Sequence, residues 1–318
     1  MMEVVVTAIA VEAEGIKSFE FRRADGAHLP AFSAGSHIDV RTPDGHQRQY
    51  SLCNSQDERD RYLVGVLKEP NSRGGSKSMH EQLEVGARVE ISEPKNLFPL
   101  HNATKRSLLF AGGIGITPIL CMAERLATIG ADFELHYCSR SDDRAAFVDR
   151  IKSSSFASRV HFHFDTGPEE QKLQASVVLG EPGDGVHLYV CGPGGFMDFI
   201  LNTARDSEWS EDHLHREYFA AQPASAPGAD QAFEVQVSST GEVYTVPAEM
   251  NVVQALAEHG IDIPYSCEQG ICGTCTTRVL GGEPDHRDMF LSAEEKAAND
   301  QFMPCCSRAK SSRLILDL

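Results

Sequence analysis

Four cysteines near the end of the sequence are the residues with the clearest chemistry. Cys267, Cys272 and Cys275 follow the spacing C-x4-C-x2-C, and Cys305 lies a long gap further on. Three thiolates on one tight loop and a fourth from a distant segment supply the ligands that two irons need, and this is the plant-type spacing for a [2Fe–2S] cluster. The spacing therefore predicts an iron–sulfur centre that accepts one electron at a time.

From the residues alone, two other assignments of these thiols stay open. Zinc is the competing metal, although structural zinc sites more often pair two short C-x2-C knuckles, whereas one loop here holds three thiols. Buried structural cysteines without a metal are the second alternative. The fourth ligand is also open, because Cys306 directly follows Cys305.

Two segments in the first hundred residues have the composition of an anion site. Arg48 and Tyr50 share one face of a predicted strand, and Ser51 lies on the other. Residues 73–78 place two glycines and two serines before a predicted helix around 79–83, where free amides and the helix dipole favour a phosphate. A glycine turn with a capping serine explains the same residues and is common.

A glycine-rich turn and a later cysteine indicate a dinucleotide pocket. Residues 111–118 join a buried strand to a helix, and their glycines let the backbone approach a pyrophosphate. The turn departs from the G-x-G-x-x-G fingerprint, because Pro118 takes the third glycine position. Cys191 ends a later strand, where ligands of open α/β sheets bind. A buried core thiol is the alternative there.

The elements around these motifs fall into blocks. The first block has short β-branched runs between turn residues, typical of an antiparallel barrel, with strands predicted at 4–10, 18–22, 37–41, 48–53, 62–68 and 88–92. The second alternates strands and helices, the pattern of a parallel sheet, with strands at 107–111, 133–139, 159–164 and 187–191 and helices at 117–129 and 195–205. The last block has strands at 233–238 and 243–246 and a helix at 252–259.

These patterns predict domains at 1–102 and 103–220, an extended proline-containing linker at 221–230, and a third domain at 231–318. The length of 318 residues suits two or three domains, and the net charge of −17 argues against nucleic acid and an anionic membrane surface. The N-terminus lacks a secretory pattern, and no stretch is apolar enough to span a membrane. We therefore expect a cytoplasmic protein whose nine cysteines are reduced.

Together these segments resemble the phthalate dioxygenase reductase family, which includes vanillate demethylase reductases. The resemblance covers nearly the whole chain and rests on residues 48–54, 112–118 and 191–193 and on the four cluster cysteines. It implies a multidomain fold: an antiparallel β-barrel flavin domain, a ferredoxin-reductase-like α/β parallel-sheet nicotinamide domain, and a C-terminal α+β plant-type ferredoxin domain of the β-grasp type. The family spacing also favours Cys305 over Cys306 as the fourth ligand.

The cofactors implied by the resemblance are FMN, NADH and the [2Fe–2S] cluster. The implied flavin-site residues are Arg48, Tyr50, Ser51, Val66, Lys68, Gly75, Ser76, Lys77 and Phe219. The implied nicotinamide-site residues are Gly113, Gly115, Thr117, Ser139, Arg140, Asp165, Cys191 and Gly192. Ser51 and Cys191 are the implied catalytic residues. We expect NADH because family members usually take it, although an Arg such as Arg140 can serve a 2′-phosphate.

The implied activity is that of the reductase component of a two-component Rieske-type aromatic-ring oxygenase or O-demethylase. A hydride delivers two electrons and the cluster accepts one, so the flavin stands between them. The implied partner is a terminal oxygenase that meets the ferredoxin domain transiently, and the reductase itself is expected to be a monomer. Residues 231–318 carry 13 acidic and six basic side chains, a net charge of −7, which suits a basic docking patch.

Two other functions remain compatible with the sequence. The same reductase could serve a P450 monooxygenase, and the residues do not separate this reading from the first. A redox-sensing regulatory module is the alternative from another class, although no DNA-binding or effector segment is added to the three blocks. A plain ferredoxin is excluded by the two domains that precede the cysteine motif.

We expect Cys305→Ser to abolish the visible absorbance of the cluster, because a [2Fe–2S] centre needs its fourth thiolate. Cys306→Ser is the matched control and should keep the spectrum. Absorbance of the purified proteins measures both. The reverse outcome would exchange the roles of the two cysteines.

Overall fold

The computed structural model describes residues 1–70, 74–101, 104–219 and 230–318. They form two compact units, Met1–Glu217 and Tyr218–Leu318. The predicted linker, apart from Asp230, lies outside the described residues. Within the described part of the chain, no helix has the length and apolar character needed to cross a membrane.

An antiparallel sheet fills the first part of unit one. Its strands are β1 Met2–Ala13, β2 Ile16–Arg22, β3 Ser36–Arg41, β4 Gln47–Ser51, β5 Tyr62–Leu67, β6 Arg88–Ile91 and β7 Lys95–Asn96. The order is β4-β3-β6-β1-β2-β5, with β7 paired to β3. A bridge between Leu52 and Val64 joins the two ends of this order, which closes the sheet into the expected barrel.

The barrel follows from alternation in the sequence. Along β2, for example, Phe19 and Phe21 are fully buried, whereas Glu20 between them carries its carboxylate on the outer face beside Arg22. Side chains two apart share one face of a strand, so such runs give a continuous apolar lining. Helix α1, Gly75–Gln82, packs beside β5. It begins before the predicted 79–83 because Gly74, at φ 101°, makes the turn that starts the helix.

A five-stranded parallel sheet forms the rest of unit one. Its strands are β8 Arg106–Gly112, β9 Asp132–Ser139, β10 Val160–Phe164, β11 Val186–Cys191 and β12 Leu214–Glu217, in the order β10-β9-β8-β11-β12. The helices are α2 Ile116–Thr128, α3 Val148–Lys152, α4 Ala175–Leu179 and α5 Gly194–Asp206. The chain adds β9 and β10 on one side of β8 and then β11 and β12 on the other, so the switch point where such sheets bind ligands lies between β8 and β11.

Unit two is a mixed α+β unit. Its strands are β13 Phe233–Val237, β14 Val243–Val246, β15 Thr277–Gly281, β16 Pro284–Asp285, β17 Gln301–Phe302, β18 Arg308–Ala309 and β19 Arg313–Leu316, and its helices are α6 Val252–Ala257 and α7 Ala293–Ala298. The main sheet has the order β14-β13-β19-β15-β17, and β16 pairs with β18. Apolar side chains of α6 and the sheet share one core. Both helices begin at capping boxes, at Asn251 and Ser292.

Two arginines hold the beginning of this unit. Arg287 donates to both carboxylate oxygens of Asp230, at 2.7 and 3.0 Å. The buried Arg308 guanidinium donates to the backbone carbonyls of Gln231, Pro247 and Met250 at 2.8–3.0 Å. Arg287 keeps the pKa of Asp230 below its usual range, so this ion pair persists at neutral pH. These contacts therefore fix the position of Asp230 ahead of β13.

Candidate functional site

Two backbone turns meet at the switch point of the parallel sheet. A Cβ added to Gly115 would stand 2.7 Å from the Gly192 nitrogen and would collide with the Cys191 carbonyl. A Cβ on Gly192 would stand 2.9 Å from the Gly112 Cα. Only glycines permit this approach, which sets the start of α2 against the end of β11. The predicted residues Gly115, Cys191 and Gly192 are therefore together.

A serine of the barrel reaches a carboxyl group of the parallel sheet beside this contact. The Ser51 hydroxyl donates to Glu217 Oε2 at 3.1 Å. Glu217 ends β12 and is paired in register with Cys191 on β11. Burial raises the pKa of Glu217 to about 8, although the hydrogen bond from Ser51 acts in the opposite direction. The carboxyl group is therefore neutral over most of the physiological range.

Cys191 is fully buried. Burial raises the pKa of its thiol well above the usual value, and the nearby Glu217 carboxyl adds to the shift. The side chain is therefore a neutral thiol, which is a poor nucleophile. Its position suits packing and orientation of a ligand at the strand end.

The sequence patterns did not single out Glu217 as a site residue. Its role depends on the pairing of β12 with β11, which brings positions 191 and 217 side by side. The available signal was its polar character at the end of a short strand, next to Tyr218 and Phe219 and shortly before the predicted linker.

The barrel strand β5 contacts the beginning of α2. A Cβ on Gly65 would stand 2.8 Å from Thr117 Cγ2 and 3.1 Å from the Phe147 ring. The next residue, Val66, is buried, and its carbonyl lies 2.8 Å from His80 Nε2. Thr117 donates to the Ile114 carbonyl at 3.1 Å, which closes the glycine-rich turn. Predicted residues of both cofactor sites thus share this boundary inside unit one.

Arg48 and α1 form the candidate phosphate end of the barrel site. A Cβ on Gly75 would stand 2.6 Å from Arg48 Cγ, so the glycine gives the arginine stem its place at the helix start. The serine hydroxyls of this turn accept from backbone amides, Ser76 from Glu69 and Ser78 from Asp44, each at 3.2 Å. The helix start and the Arg48 guanidinium are features that bind phosphate.

The other predicted barrel residues differ in their surroundings. Burial raises the pKa of Tyr50, so its phenol stays neutral. Lys77 is 64% exposed and lies 4.0 Å from Glu81, so its ammonium can turn toward an anion. Lys68 donates to Glu81 at 2.7 Å on the exposed surface. Phe219 belongs to unit two, and its predicted contact with the flavin stays a prediction.

Ser139, Arg140 and Asp165 meet where two parallel strands end. The Asp165 amide donates to the Ser139 carbonyl at 3.1 Å, and the Thr166 amide donates to the Arg140 carbonyl at 3.0 Å. Ser139 is buried, whereas Arg140 and Asp165 are exposed. Carboxyl ends of neighbouring strands are where such sheets hold a nucleotide ribose, so the three residues fit that part of a dinucleotide site.

The four predicted cluster thiols belong to unit two. The Gln269 amide donates to Cys267 Sγ at 3.3 Å. Hydrogen bonds from the thiols of Cys272 and Cys305, together with backbone amides of the loop, hold the pKa of Cys267 well below its usual range. Cys305 lowers the pKa of Cys275 in the same way. These contacts favour thiolates at Cys267 and Cys275, whereas the hydrogen bonds to Cys267 raise the pKa of the donating thiols of Cys272 and Cys305. The thiolate is the form that binds iron.

Glycine conformation and the position of Cys306 complete the cluster site. Gly270 and Gly273 have φ values of 68° and 70°, which side chains rarely adopt and which fold the loop around its cysteines. The Cys306 sulfur packs against Gly270 and lies 3.7 Å from the Met303 carbonyl. Cys306 is half-buried. Cys305 is the one that contacts both Cys267 and Cys275.

Comparison with known proteins gives close relatives over the whole chain. The family model for the 2Fe-2S iron-sulfur cluster binding domain matches residues 235–310. A vanillate O-demethylase oxidoreductase of Pseudomonas sp. (strain HR199 / DSM 7063) is 59% identical over 318 residues, which is 100% of both chains. The solved structure of phthalate dioxygenase reductase is 38% identical, with a TM-score of 0.81 over 100% of this chain and 98% of that chain.

A third similarity extends to a larger protein. An intact type IV self-sufficient cytochrome P450 monooxygenase is 37% identical, with a TM-score of 0.82. The match covers 99% of this chain and 41% of that chain. A region similar to nearly this whole chain therefore also occurs within a longer P450 polypeptide.

We expect Gly115→Ala to raise the KM for NADH about tenfold or more, because the added methyl must push the two turns apart and small displacements at a binding site are costly. Gly195→Ala is the matched control, since a Cβ there meets nothing within 4 Å. Steady-state reduction of ferricyanide measures the effect. Equal KM values for the two variants would mean that the contact at Gly115 does not shape the nicotinamide site.

Proposed function

The chain belongs to the oxygenase reductase family that includes vanillate O-demethylase oxidoreductases and phthalate dioxygenase reductase, and from this membership we propose how its residues act and which oxygenase it serves. It is the reductase component of a two-component oxygenase and an iron–sulfur flavoprotein. Its cofactors are NADH, FMN and a [2Fe–2S] cluster. The observation that carries the proposed residue roles is the contact of Ser51 with Glu217 beside Cys191.

The bound flavin supplies the conversion of one two-electron hydride transfer into single-electron transfers to the cluster. We assign its phosphate to Arg48, Gly75, Ser76 and Lys77, because they combine a helix start with two positive side chains. Tyr50, Ser51 and Val66 line the ring in this proposal. Lys68 and Phe219 complete the set that the family resemblance implies.

Within the nicotinamide site, we assign the pyrophosphate to the turn that contains Gly113, Gly115 and Thr117. Ser139, Arg140 and Asp165 take the ribose end, and the exposed Asp165 carboxylate disfavours a 2′-phosphate. This charge supports NADH as the preferred dinucleotide over NADPH.

Where the flavin and nicotinamide rings would meet, Ser51 and Glu217 provide polar side chains. Cys191 and Gly192 provide a surface without charge. The neutral Glu217 carboxyl can accept from Ser51 with one oxygen and donate with the other. The buried Cys191 thiol fills the space under the ligand and keeps water out. These residues orient the reactants and add no negative charge where a hydride arrives.

We assign cluster ligation to Cys267, Cys272, Cys275 and Cys305. The pattern of contacts supports the choice of Cys305 over Cys306, because Cys305 reaches Cys267 and Cys275. The loop amides stabilise negative charge on sulfur, which is a means of tuning the cluster potential.

A Rieske-type O-demethylase that acts on vanillate or a similar methoxylated aromatic acid is the terminal oxygenase we propose. The support is the 59% identity to a vanillate O-demethylase oxidoreductase over its full length. A P450 monooxygenase is the second candidate, favoured by the similarity to a self-sufficient P450. We further propose a monomer that works in the cytoplasm, which suits cysteines that are all free thiols in the described residues.

The proposed docking surface surrounds the cluster loop. Tyr265, Met289 and Phe290 are 46%, 37% and 42% exposed, which is unusual for large apolar side chains. The Phe290 ring lies against Gly273, and the Met289 amide donates to the Gly270 carbonyl at 2.9 Å. An apolar patch beside the cluster, within residues 231–318 of net charge −7, suits a transient partner with a basic surface.

The test of the function is an anaerobic absorbance spectrum before and after NADH, with identification of the released flavin, followed by reconstitution. With NADH and a methoxylated aromatic acid, the protein should support demethylation by a vanillate-type Rieske oxygenase. It should not support turnover of a P450 with that enzyme's substrate. Product with the P450 alone would select the second candidate. Colourless protein, or protein that holds only zinc, would refute both.

The charge state of Glu217 predicts a pH dependence of hydride transfer. Below a pH of about 8 the carboxyl is neutral, and above it the carboxylate opposes arrival of a second negative charge. We expect the rate constant of flavin reduction by NADH to fall as pH rises through about 8. Glu217→Gln should remove this transition, whereas Glu181→Gln, at an exposed carboxylate of the same unit, should keep it. Stopped-flow absorbance measures the rate; an unchanged profile in Glu217→Gln would refute the role.

Electrostatic docking predicts that salt slows transfer to the oxygenase. Contacts between exposed charges weaken as the Debye length shortens from about 10 Å at 0.1 M. We expect oxygenase-dependent turnover to fall with ionic strength while ferricyanide reduction changes much less. An oxygenase-dependent turnover rate that does not change with ionic strength would exclude electrostatic docking through the acidic unit.

A further inference from the structure

Glu134, His136 and His161 form a cluster apart from the cofactor sites described above. We propose that these three side chains bind a divalent transition metal of the Zn²⁺ class. One ligand atom from each residue lies within 4.8 Å of the other two, and among the described residues this is the one such group of His, Cys, Asp and Glu. A bound ion would draw them closer, to about 2.0–2.2 Å from the metal.

Strand pairing brings the three ligands to one face of the parallel sheet. His136 on β9 is in register with His161 on the neighbouring β10. Glu134 is two residues before His136 on the same strand, so its side chain points to the same face. The two imidazoles are stacked, with ring centroids 4.9 Å apart and planes at 15°. The sheet itself therefore presents the three groups together.

The hydrogen-bond network leaves a lone pair on His136 directed toward this cluster. His163 Nδ1 lies 2.9 Å from the Gln171 carbonyl, which can only accept, so this nitrogen carries the proton. His163 Nε2 is then an acceptor, and His136 Nδ1, 3.0 Å away, must donate to it. Burial, with the neighbouring His163 and His161, lowers the pKa of His136 to about 3, so the ring is neutral. Its Nε2 is therefore unprotonated.

That nitrogen has no hydrogen-bond partner within the described residues, although His136 is only 4% exposed. A buried acceptor without a donor is costly, and most are satisfied by a partner, water or an ion. Glu134 Oε2 lies 3.7 Å from this nitrogen and is an acceptor itself. Two acceptors that face each other are satisfied together by a cation.

Outer contacts hold the ligands as they do in metal sites. The Arg106 guanidinium lies 2.9 Å from Glu134 Oε1, which leaves Oε2 for the proposed ion. The chain from His136 through His163 to the Gln171 carbonyl fixes the ring and its tautomer. A histidine that binds a metal through one ring nitrogen almost always donates the N–H of the other to a hydrogen-bond acceptor. Two imidazoles and one carboxylate suit Zn²⁺, and the exposed His161 side leaves a fourth position for water.

A second histidine group in the same unit provides the internal control. His187 Nδ1 lies 2.8 Å from His215 Nε2, and the His213 ring is 4.6 Å from that of His187. In the described part of the chain, this group does not bring three ligand atoms within 4.8 Å of one another. It therefore separates specific binding by Glu134, His136 and His161 from binding to histidines in general.

Equilibrium dialysis of the cluster-loaded, flavin-loaded chain without a histidine tag, with Zn²⁺ as the probe, tests the proposal. A loaded cluster keeps its four cysteines from binding zinc. We expect one saturable Zn²⁺ per chain in the wild type, with affinity lowered about tenfold or more in His161→Ala and in Glu134→Gln. His213→Ala should bind as the wild type does.

Reduction of ferricyanide by NADH in metal-free buffer verifies that each variant is folded, since none of the changed residues lies in the cofactor sites. His161 is exposed, so its replacement removes a ligand with little effect on packing. Absence of saturable Zn²⁺ binding in the wild type would overturn the proposal. So would equal affinity in the wild type and His161→Ala, or loss of binding in His213→Ala.

Discussion

The approach of two backbone turns without an intervening side chain is the constraint on which the site in unit one depends. At Gly115 and Gly192, any larger residue would separate the start of α2 from the end of β11. That separation would also displace Cys191 and, through its strand pairing, Glu217. Ser51 would then lose its partner across the boundary between the barrel and the parallel sheet. The positions of Cys191, Glu217 and Ser51 therefore depend on the absence of a Cβ at Gly115 and Gly192.

Burial and hydrogen bonding give the two sites opposite electrostatic properties. In unit one, desolvation keeps the Cys191 thiol and the Glu217 carboxyl neutral. In unit two, backbone amides and neighbouring thiols favour the anionic form of Cys267. Cysteine thus occurs in two states in one chain, as a buried neutral thiol at Cys191 and as a thiolate at Cys267.

Local sequence predicted the features that depend on neighbouring residues. The cysteine spacing, the glycine-rich turn at 111–118 and the strand alternation of the barrel all act over a few positions, and β14 was predicted at its observed bounds. The predicted barrel was confirmed by the bridge between Leu52 and Val64. The helix at 75–82 was placed too late, because the turn at Gly74 needs a positive φ that the sequence only suggests.

Features that depend on strand order were beyond such reasoning. Glu217 acquires its position only because β12 lies next to β11, and His161 meets His136 only because β10 lies next to β9. The residues that connect these strands along the chain do not indicate which strands become neighbours in the sheet. The neutral state of Glu217 likewise depends on burial by distant segments, which no local pattern records.

The anchoring of Asp230 by Arg287 and Arg308 has a consequence for how such a protein can be recombined. A crossover placed before Asp230 keeps these contacts within the transferred segment. A crossover a few positions later would remove Asp230, and the Arg287 and Arg308 guanidinium groups would lose this carboxylate partner. Fusion of this part of the chain to another protein is thus constrained by the Asp230 carboxylate.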